Sequence, residues 1–450
     1  MTRLVAKLTR LVEKPLIRRL VKNSGYLFSA TGVNSLTSMI QSIFVARLLG
    51  VAGFGMLGTI TMYTSVVNKF VSFRMGELVV IYVGQFSEKG DHERAAAVFK
   101  AAALVEMLAS VLAFGLAWFL SPLGAKYLLK DVATQGWFEL YAIVLLANLI
   151  AESSTGLLQI FDRFRNIAGA NIAQSFISLF IVAVVYILHG GFLGVLIAYL
   201  VSKAICAILL TGAALYEATR RWGRGWWKAP VSLLWPQARE LANFAISTNI
   251  SGSLSLINKD SELLWISFLR NPIETGYYKL ALSLANVVQV VINPLPQATY
   301  PELSREVARN NYENVRYILH QGSLLAGGYT LSVTLGLLVF GRWLIQYLYT
   351  PAYLPAYPAL MILVAGLLVA NTFYWNRIAL LAIGRPDFPA KVNFVLAVLK
   401  VTGILLLVPI YGYLANAGLM AGSYILGVSV SVIAFRLGLA KRERLAGASP

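Results

Sequence analysis

The sequence predicts an all-α polytopic membrane protein with twelve transmembrane helices in two lobes of six. Three observations predict it. Hydrophobic residues make up 58% of the 450 and charged residues only 13%, about half the charge of a globular chain. Apolar stretches of about 20 residues or more, the length that crosses a bilayer, recur along the whole chain with short polar breaks between them. The second half also repeats residue signals of the first at a nearly constant offset. No stretch remains that would fold as a soluble domain.

Composition excludes several chemistries. The one cysteine, Cys206, allows no intrachain disulfide and reads as a small packed hydrophobe. His92, His189 and His320 are far apart with no metal-ligand spacing, so no metal and no cofactor is expected. The formal charge of +18 is not the basic face of a soluble nucleic-acid-binding domain, because the bases sit in loops between spans.

Residues 1–22 interleave Arg3, Lys7, Arg10, Lys14, Arg18, Arg19 and Lys22 with Leu4, Leu8, Leu11, Val12, Ile17 and Leu20. They lack the apolar core and cleavage site of a signal peptide, so retention is expected. Two readings stand: an amphipathic helix on anionic lipid, and a solvated basic arm that sets orientation. The twelve spans follow at 25–49, 54–86, 92–120, 137–161, 167–188, 192–216, 238–269, 276–300, 315–349, 357–383, 388–411 and 417–439. Several exceed the need of the bilayer and should tilt or protrude. The expected organisation is a first lobe over 23–217, a cytoplasmic linker over 218–236, a second lobe over 237–440 and a cytoplasmic tail over 441–450. The tryptophans and arginines of the linker suit the headgroup layer.

Orientation follows from loop charges. With the N-terminus in the cytoplasm, twenty-four Lys and Arg lie on that side, against five (Arg47, Lys126, Lys130, Arg270 and Arg342) on the other. Both termini are therefore expected inside. The repeat is read from paired positions. At an offset of 220, Tyr127-Leu128 falls on Tyr347-Leu348 and His92-Glu93 on Tyr312-Glu313; at 222, Arg163 falls on Arg385 and Asn171 on Asn393; at 224, Gly194 falls on Gly418. Gly53-Phe54-Gly55 likewise echoes Thr275-Gly276-Tyr277. Six spans per repeat leave both halves with one topology. That requires a pseudo-twofold along the membrane normal, with a substrate site expected at the interface near the midplane.

The seventh span carries Asn258, Lys259, Asp260, Ser261 and Glu262 within an apolar stretch. Each charge costs a few kcal/mol at membrane depth, so the run should face protein or a water-filled cavity. Asp260 points about 100° away from Lys259 around a helix and needs a partner of its own.

Arg47-Leu48-Leu49-Gly50-Val51-Ala52-Gly53-Phe54-Gly55, then Asp260, then Gly276-Tyr277-Tyr278-Lys279-Leu280-Ala281 resemble the polysaccharide-transporter branch of the multidrug/oligosaccharidyl-lipid/polysaccharide exporter superfamily, which contains the O-antigen and exopolysaccharide repeat-unit flippases. The resemblance covers roughly 25–439. It implies two six-helix lobes around a V-shaped central cavity. It also implies movement of an undecaprenyl-diphosphate-linked oligosaccharide (O-antigen, capsule or exopolysaccharide repeat unit) from the cytoplasmic to the outer leaflet of the bacterial inner membrane by alternating access. A coupling proton or sodium ion and a glycan polymerase or chain-length partner are expected alongside. The first span lacks the acidic residue through which related drug exporters couple to ions, which weighs against a drug or small-molecule exporter. The chain also ends after its twelfth span, which weighs against a lipid II flippase.

Such a substrate needs cations deep in a cavity. The candidates for a cationic substrate site are Lys69, Arg74, Lys203, Lys259, Arg377 and Lys400. Candidates for coupling or gating are Asp260, Glu262, Glu77 and Glu152, with Glu106 a further acid inside a span. The plain alternative is pairing: Arg74 with Glu77 and Lys259 with Glu262 stand at i,i+3 on one helix face. Lys69, Lys203 and Lys400 have no acid within four positions and are the stronger candidates for phosphate. Lys279 is close enough to its helix start to snorkel outward. Pro294 and Pro296 should kink the eighth span, and Tyr374 and Trp375 either stack on sugars or pack a helix interface. A membrane glycan polymerase or ligase is disfavoured, because the longest outer connection, 121–136, is short and has no His. A non-transporting scaffold would leave the buried charges unexplained.

Overall fold

The computed structural model describes residues 15–256, 261–385 and 387–447. Lys259, Asp260 and the basic segment up to Lys14 lie outside the described residues. Among the described residues there is helix and no strand. α1 (Pro15–Val71) turns sharply at Gly50, where φ is 65° and ψ −178°, a conformation that is essentially glycine's alone. α2 is a run of three joined pieces, Met75–Leu78, Val79–Val83 and Gly84–Glu88. α3 (His92–Phe119), α4 (Gln135–Ala147), α5 (Ala151–Ile160), α6 (Phe164–Ile187), α7 (Gly191–Trp222) and α8 (Ala238–Ser255) follow. Then come α9 (Glu262–Leu269), α10 (Pro272–Gln289), α11 (Leu295–Ala308), α12 (Tyr312–Leu344), α13 (Ala356–Thr372), α14 (Asn376–Ala382) and α15 (Asp387–Gly447). α15 turns at Gly412.

Eight of the described helices are long and apolar enough to cross a membrane. They contain ten of the expected spans, because α1 and α15 each hold two or parts of two around a glycine turn. The seventh and eighth spans fall on the shorter helices α8 to α11. The membrane-length helices turn apolar residues outward as lipid requires: Leu112 and Phe119 of α3, Phe180 and Ile187 of α6 and Phe340 of α12 are exposed. The buried side of α3 is instead small, with Ala102, Ala109, Ala113 and Ala117 spaced to let neighbouring backbones approach.

Several expected spans are broken rather than continuous. The second breaks at 72–74, with Arg74 left-handed at φ 51°. The fourth breaks at 148–150 and the tenth at 373–375. The eighth, expected to kink at Pro294 and Pro296, unwinds over 290–294. The breaks follow the internal repeat, and so do the left-handed residues. Gly90 and Asn310 are 220 apart, Gly191 and Gly412 are 221 apart, and Asp162 and Gly384 are 222 apart. Asp91 and Asn311 cap α3 and α12 in the same way, each carboxyl or amide oxygen accepting the N–H three residues on.

The described chain divides into two compact units. The first is Met1–Phe44, Tyr63–Lys126 and Asp131–Ser253; the second is Val45–Met62, Tyr127–Lys130 and Leu254–Pro450. Within the second unit, the turn after Gly50 meets the start of α10. A Cβ on Gly55 would strike the carbonyl oxygen of Pro272, and one on Gly276 would strike that of Val51. Each glycine faces the carbonyl four residues before the other, so the two sequence echoes touch reciprocally. Arg47 donates to the carbonyls of Leu348 at 2.7 Å and Tyr349 at 3.1 Å, which gives the Arg-Leu-Leu-Gly stretch its local purpose. It satisfies carbonyls left open at the end of the π-helical turn Ile345–Tyr349 that follows α12.

Gly55→Ala and Gly276→Ala should each cost about 1–3 kcal/mol, because the colliding atoms are backbone and cannot swing aside. A Cβ on Gly115 meets nothing, so Gly115→Ala should leave stability unchanged or raise it by up to about 1 kcal/mol. Thermal unfolding of the three purified variants in one detergent checks the ordering.

Candidate functional site

The first unit holds an open polar cavity of about 730 Å³. It forms where two broken spans meet. The half-helices α2 and α5 cross at Gly76 and Gly156: a Cβ on Gly76 would lie 2.7 Å from the Glu152 carbonyl, and one on Gly156 2.5 Å from that of Gly76. Only glycine at both positions lets the backbones touch. This contact brings Arg74 and Glu77 toward Glu152.

α5 starts inside the membrane at Ile150, which offers no capping side chain. Its open N–H groups are met from α3 instead. Glu106 accepts the backbone N–H of Glu152 and of Ser153, both at 2.8 Å, and also the hydroxyl of Ser153. A carboxylate placed there satisfies two orphan donors and faces the positive end of the helix dipole. Glu152 itself turns into the cavity, where the Ser72 hydroxyl approaches it at 3.4 Å. Among the described residues no cation lies within ion-pair distance of Glu106 or Glu152. Arg74 bridges to Glu77 at 3.2 Å.

The break at 72–74 is held from α8. Asn249 donates its amide to the carbonyls of Ser72 and Phe70, and the Thr248 hydroxyl lies 3.3 Å from the Phe73 carbonyl. Tyr82 bonds Glu240 at 3.0 Å and packs edge-on to Phe244.

In the second unit, Lys400 is 4% exposed and its ammonium sits 2.6 Å from Glu262. Tyr278 donates to the other oxygen of the same carboxylate. Lys279 lies along Gly58, bonds the Phe54 carbonyl at 3.0 Å and rests over the Phe54 ring.

Several expectations change accordingly. The cavity of the first unit carries Glu77, Glu106 and Glu152 against Arg74. Arg74 takes the paired alternative with Glu77. Lys400 is not a free cation for phosphate: it is buried against a carboxylate, 138 positions away in sequence. Glu262 is correspondingly spent on Lys400 and Tyr278. Lys279 does not snorkel outward but folds onto α1. Lys69 is exposed in the last turn of α1, next to the cavity-lining Asn68. Lys203, exposed on α7, and Arg377, exposed on α14, have no ion-pair partner among the described residues, and neither lines the cavity. Tyr374 bonds Thr299 at 2.8 Å, and Trp375 packs on Phe373 and Phe435, the interface reading of that pair. Cys206 is buried beside Asn171.

Residues 20–307 match the family described as polysaccharide biosynthesis protein. The chain belongs to this family. It is also similar to the inner membrane protein YghQ of Escherichia coli K12, at 24% identity over 343 residues, covering 76% of this chain and 95% of that one. Solved structures share the family member's fold at low identity. A multidrug resistance transporter of the MATE family in the MOP superfamily, inward-facing, superposes with a TM-score of 0.74 at 15% identity, covering 93% of this chain and 96% of that one. The lipid II flippase MurJ in an inward closed conformation gives 0.70 at 14%, covering 93% and 90%. A MOP superfamily transporter from Pyrococcus furiosus gives 0.65 at 13%, covering 94% and 95%. The fold is therefore that of a MOP-type polytopic membrane protein, and the solved proteins that share it are described as transporters and a flippase rather than enzymes.

Lys400→Met should cost about 3–5 kcal/mol by leaving a buried carboxylate unpaired. Lys400→Met combined with Glu262→Met should recover most of that loss. Thermal unfolding of both variants checks it; a destabilisation no smaller in the double variant would contradict the pairing.

Proposed function

We propose that this protein is a flippase for a lipid-linked oligosaccharide, moving the undecaprenyl-diphosphate-linked repeat unit of an O-antigen, capsule or exopolysaccharide from the cytoplasmic to the outer leaflet. The observation that carries the reading is the polar cavity of about 730 Å³ among membrane-length helices of a polysaccharide-biosynthesis family member. Hydroxyls and amides line it: Ser72, Ser110, Thr155, Asn68, Asn148 and Gln159. Neutral donors and acceptors of this kind bond sugar hydroxyls in any ionic state of the protein. The carboxylates repel a diphosphate, so the cavity takes the glycan, and the phosphates lie elsewhere on the transport path. Among the described residues Glu152 makes no ion pair, and it faces the cavity, which makes it the carrier of a coupling proton or sodium ion in this reading. Lys203, Arg377, Lys259 and Asp260 stay candidates for phosphate contact and gating.

One observation favours a second reading. Three carboxylates around one arginine would also suit export of a cationic small molecule. The two readings separate in a strain deleted for its own repeat-unit flippase. Expression should restore surface glycan and should not raise resistance to cationic dyes. Resistance without glycan would overturn the proposal. Glu152→Gln should then reduce glycan export by about tenfold or more at unchanged membrane level, as expected for losing a proton-carrying group. Normal export by that variant under both proton and sodium gradients would remove Glu152 from the mechanism.

A further inference from the structure

A second pocket, of about 390 Å³, lies in the second unit between α12 and α15, at the end expected to face the cytoplasm. Its polar lining is almost wholly made of donors: Arg316, His320 and Ser323 from α12, and Arg436 from α15. Glu443 is its carboxylate, and Arg316 holds both of its oxygens, one at 2.6 Å. His320 and Arg436 have no ion pair or hydrogen bond among the described residues. Ser323 accepts the indole N–H of Trp375 at 2.7 Å, which leaves its own hydroxyl hydrogen free to be given. Trp375 is clamped edge-on between Phe435, at 5.6 Å, and Phe373, at 5.8 Å, so the hydroxyl it orients is held in place. The pocket thus offers two guanidinium groups, an imidazole and a hydroxyl against one carboxylate.

The chemistry that satisfies such a lining is a phosphate, since guanidinium forks match its oxygens in pairs. The surroundings say what the phosphate is attached to. On the same two helices Tyr317, Leu324, Ile433 and Leu437 are each more than half exposed, a hydrocarbon-facing surface beside the opening. Basic pockets between membrane helices on the cytoplasmic side suit anionic headgroups. We propose that Arg316, His320, Ser323 and Arg436 bind the phosphate of an anionic phospholipid, whose acyl chains lie along α12 and α15. In the unliganded protein Glu443 occupies Arg316, and the lipid phosphate displaces it.

Native mass spectrometry of the full-length protein in a neutral detergent tests this with phosphatidylglycerol, phosphatidylcholine and inorganic phosphate as probes. Phosphatidylglycerol should bind the wild type about tenfold more tightly than phosphatidylcholine, and Arg316→Gln with Arg436→Gln should remove about that factor. Arg342→Gln, at the other end of α12, should change nothing. Glu443→Gln should tighten phosphatidylglycerol, and Glu302→Gln, which removes the same charge away from the pocket, should not. Arg436 is exposed and has no ion pair or hydrogen bond among the described residues, so Arg436→Gln alone keeps the test open should the double variant not fold. Equal binding of the two lipids would overturn the proposal. So would an equal loss in Arg342→Gln, an equal gain in Glu302→Gln, or competition by inorganic phosphate at lipid-like concentrations. None of these outcomes bears on glycan export.

Discussion

A helix broken inside a bilayer leaves N–H and C=O groups that no water reaches, and each must find a partner within the protein. The first unit is organised by that requirement. The donors at the start of α5 are taken by Glu106, reaching across from α3. The acceptors at the end of α1 are taken by Asn249 and Thr248 from α8. Once those bonds are made, the break points are anchored, the glycine pair Gly76 and Gly156 lets α2 and α5 touch, and a polar cavity exists where continuous helices would have closed it. The functional space follows from how the backbone is satisfied.

The same requirement sorts the charges. Glu106 has a capping task and Glu262 an ionic partner in Lys400, so both are tied into the structure. Arg74 and Glu77 neutralise each other at the rim. Among the described residues Glu152 is left facing the cavity with the Ser72 hydroxyl as its hydrogen-bond partner, which is the condition the proposed coupling role requires. The acidic character of this cavity also divides the proposed substrate. Under the proposed function its sugars would find hydroxyl and amide partners there, and its phosphates would not.

Apolar runs, loop charges and the internal repeat were legible from the sequence because each is local or periodic. The repeat even anticipated where left-handed residues recur, at Gly90 and Asn310 or Gly191 and Gly412. The breaks were harder to read. Positions 72–74 are Ser, Phe and Arg, with neither glycine nor proline to mark them, and the αL conformation of Arg74 is imposed by the packing around it. The pairing of Lys400 with Glu262 joins two helices far apart in sequence, so an intrahelical search finds Lys259 for Glu262 and leaves Lys400 apparently free. Glu106 shows as the one acid in the interior of an alanine-rich span, yet its capping role needs the break at 148–150 to be known. Arg436, close to the end of the twelfth span, carried a weak signal: an arginine three residues inside an otherwise apolar helix end.

Leaflet-to-leaflet movement in a defined system tests the account most directly. Purified protein reconstituted into liposomes, with a fluorescent polyprenyl-diphosphate oligosaccharide in both leaflets, would be treated with an impermeant quencher. Without movement between leaflets the quencher reaches only the outer half of the label. Quenching should proceed beyond that half with the wild-type protein, and an imposed proton or sodium gradient should bias it. Quenching that stops at half in every gradient, with correctly inserted protein, would contradict it.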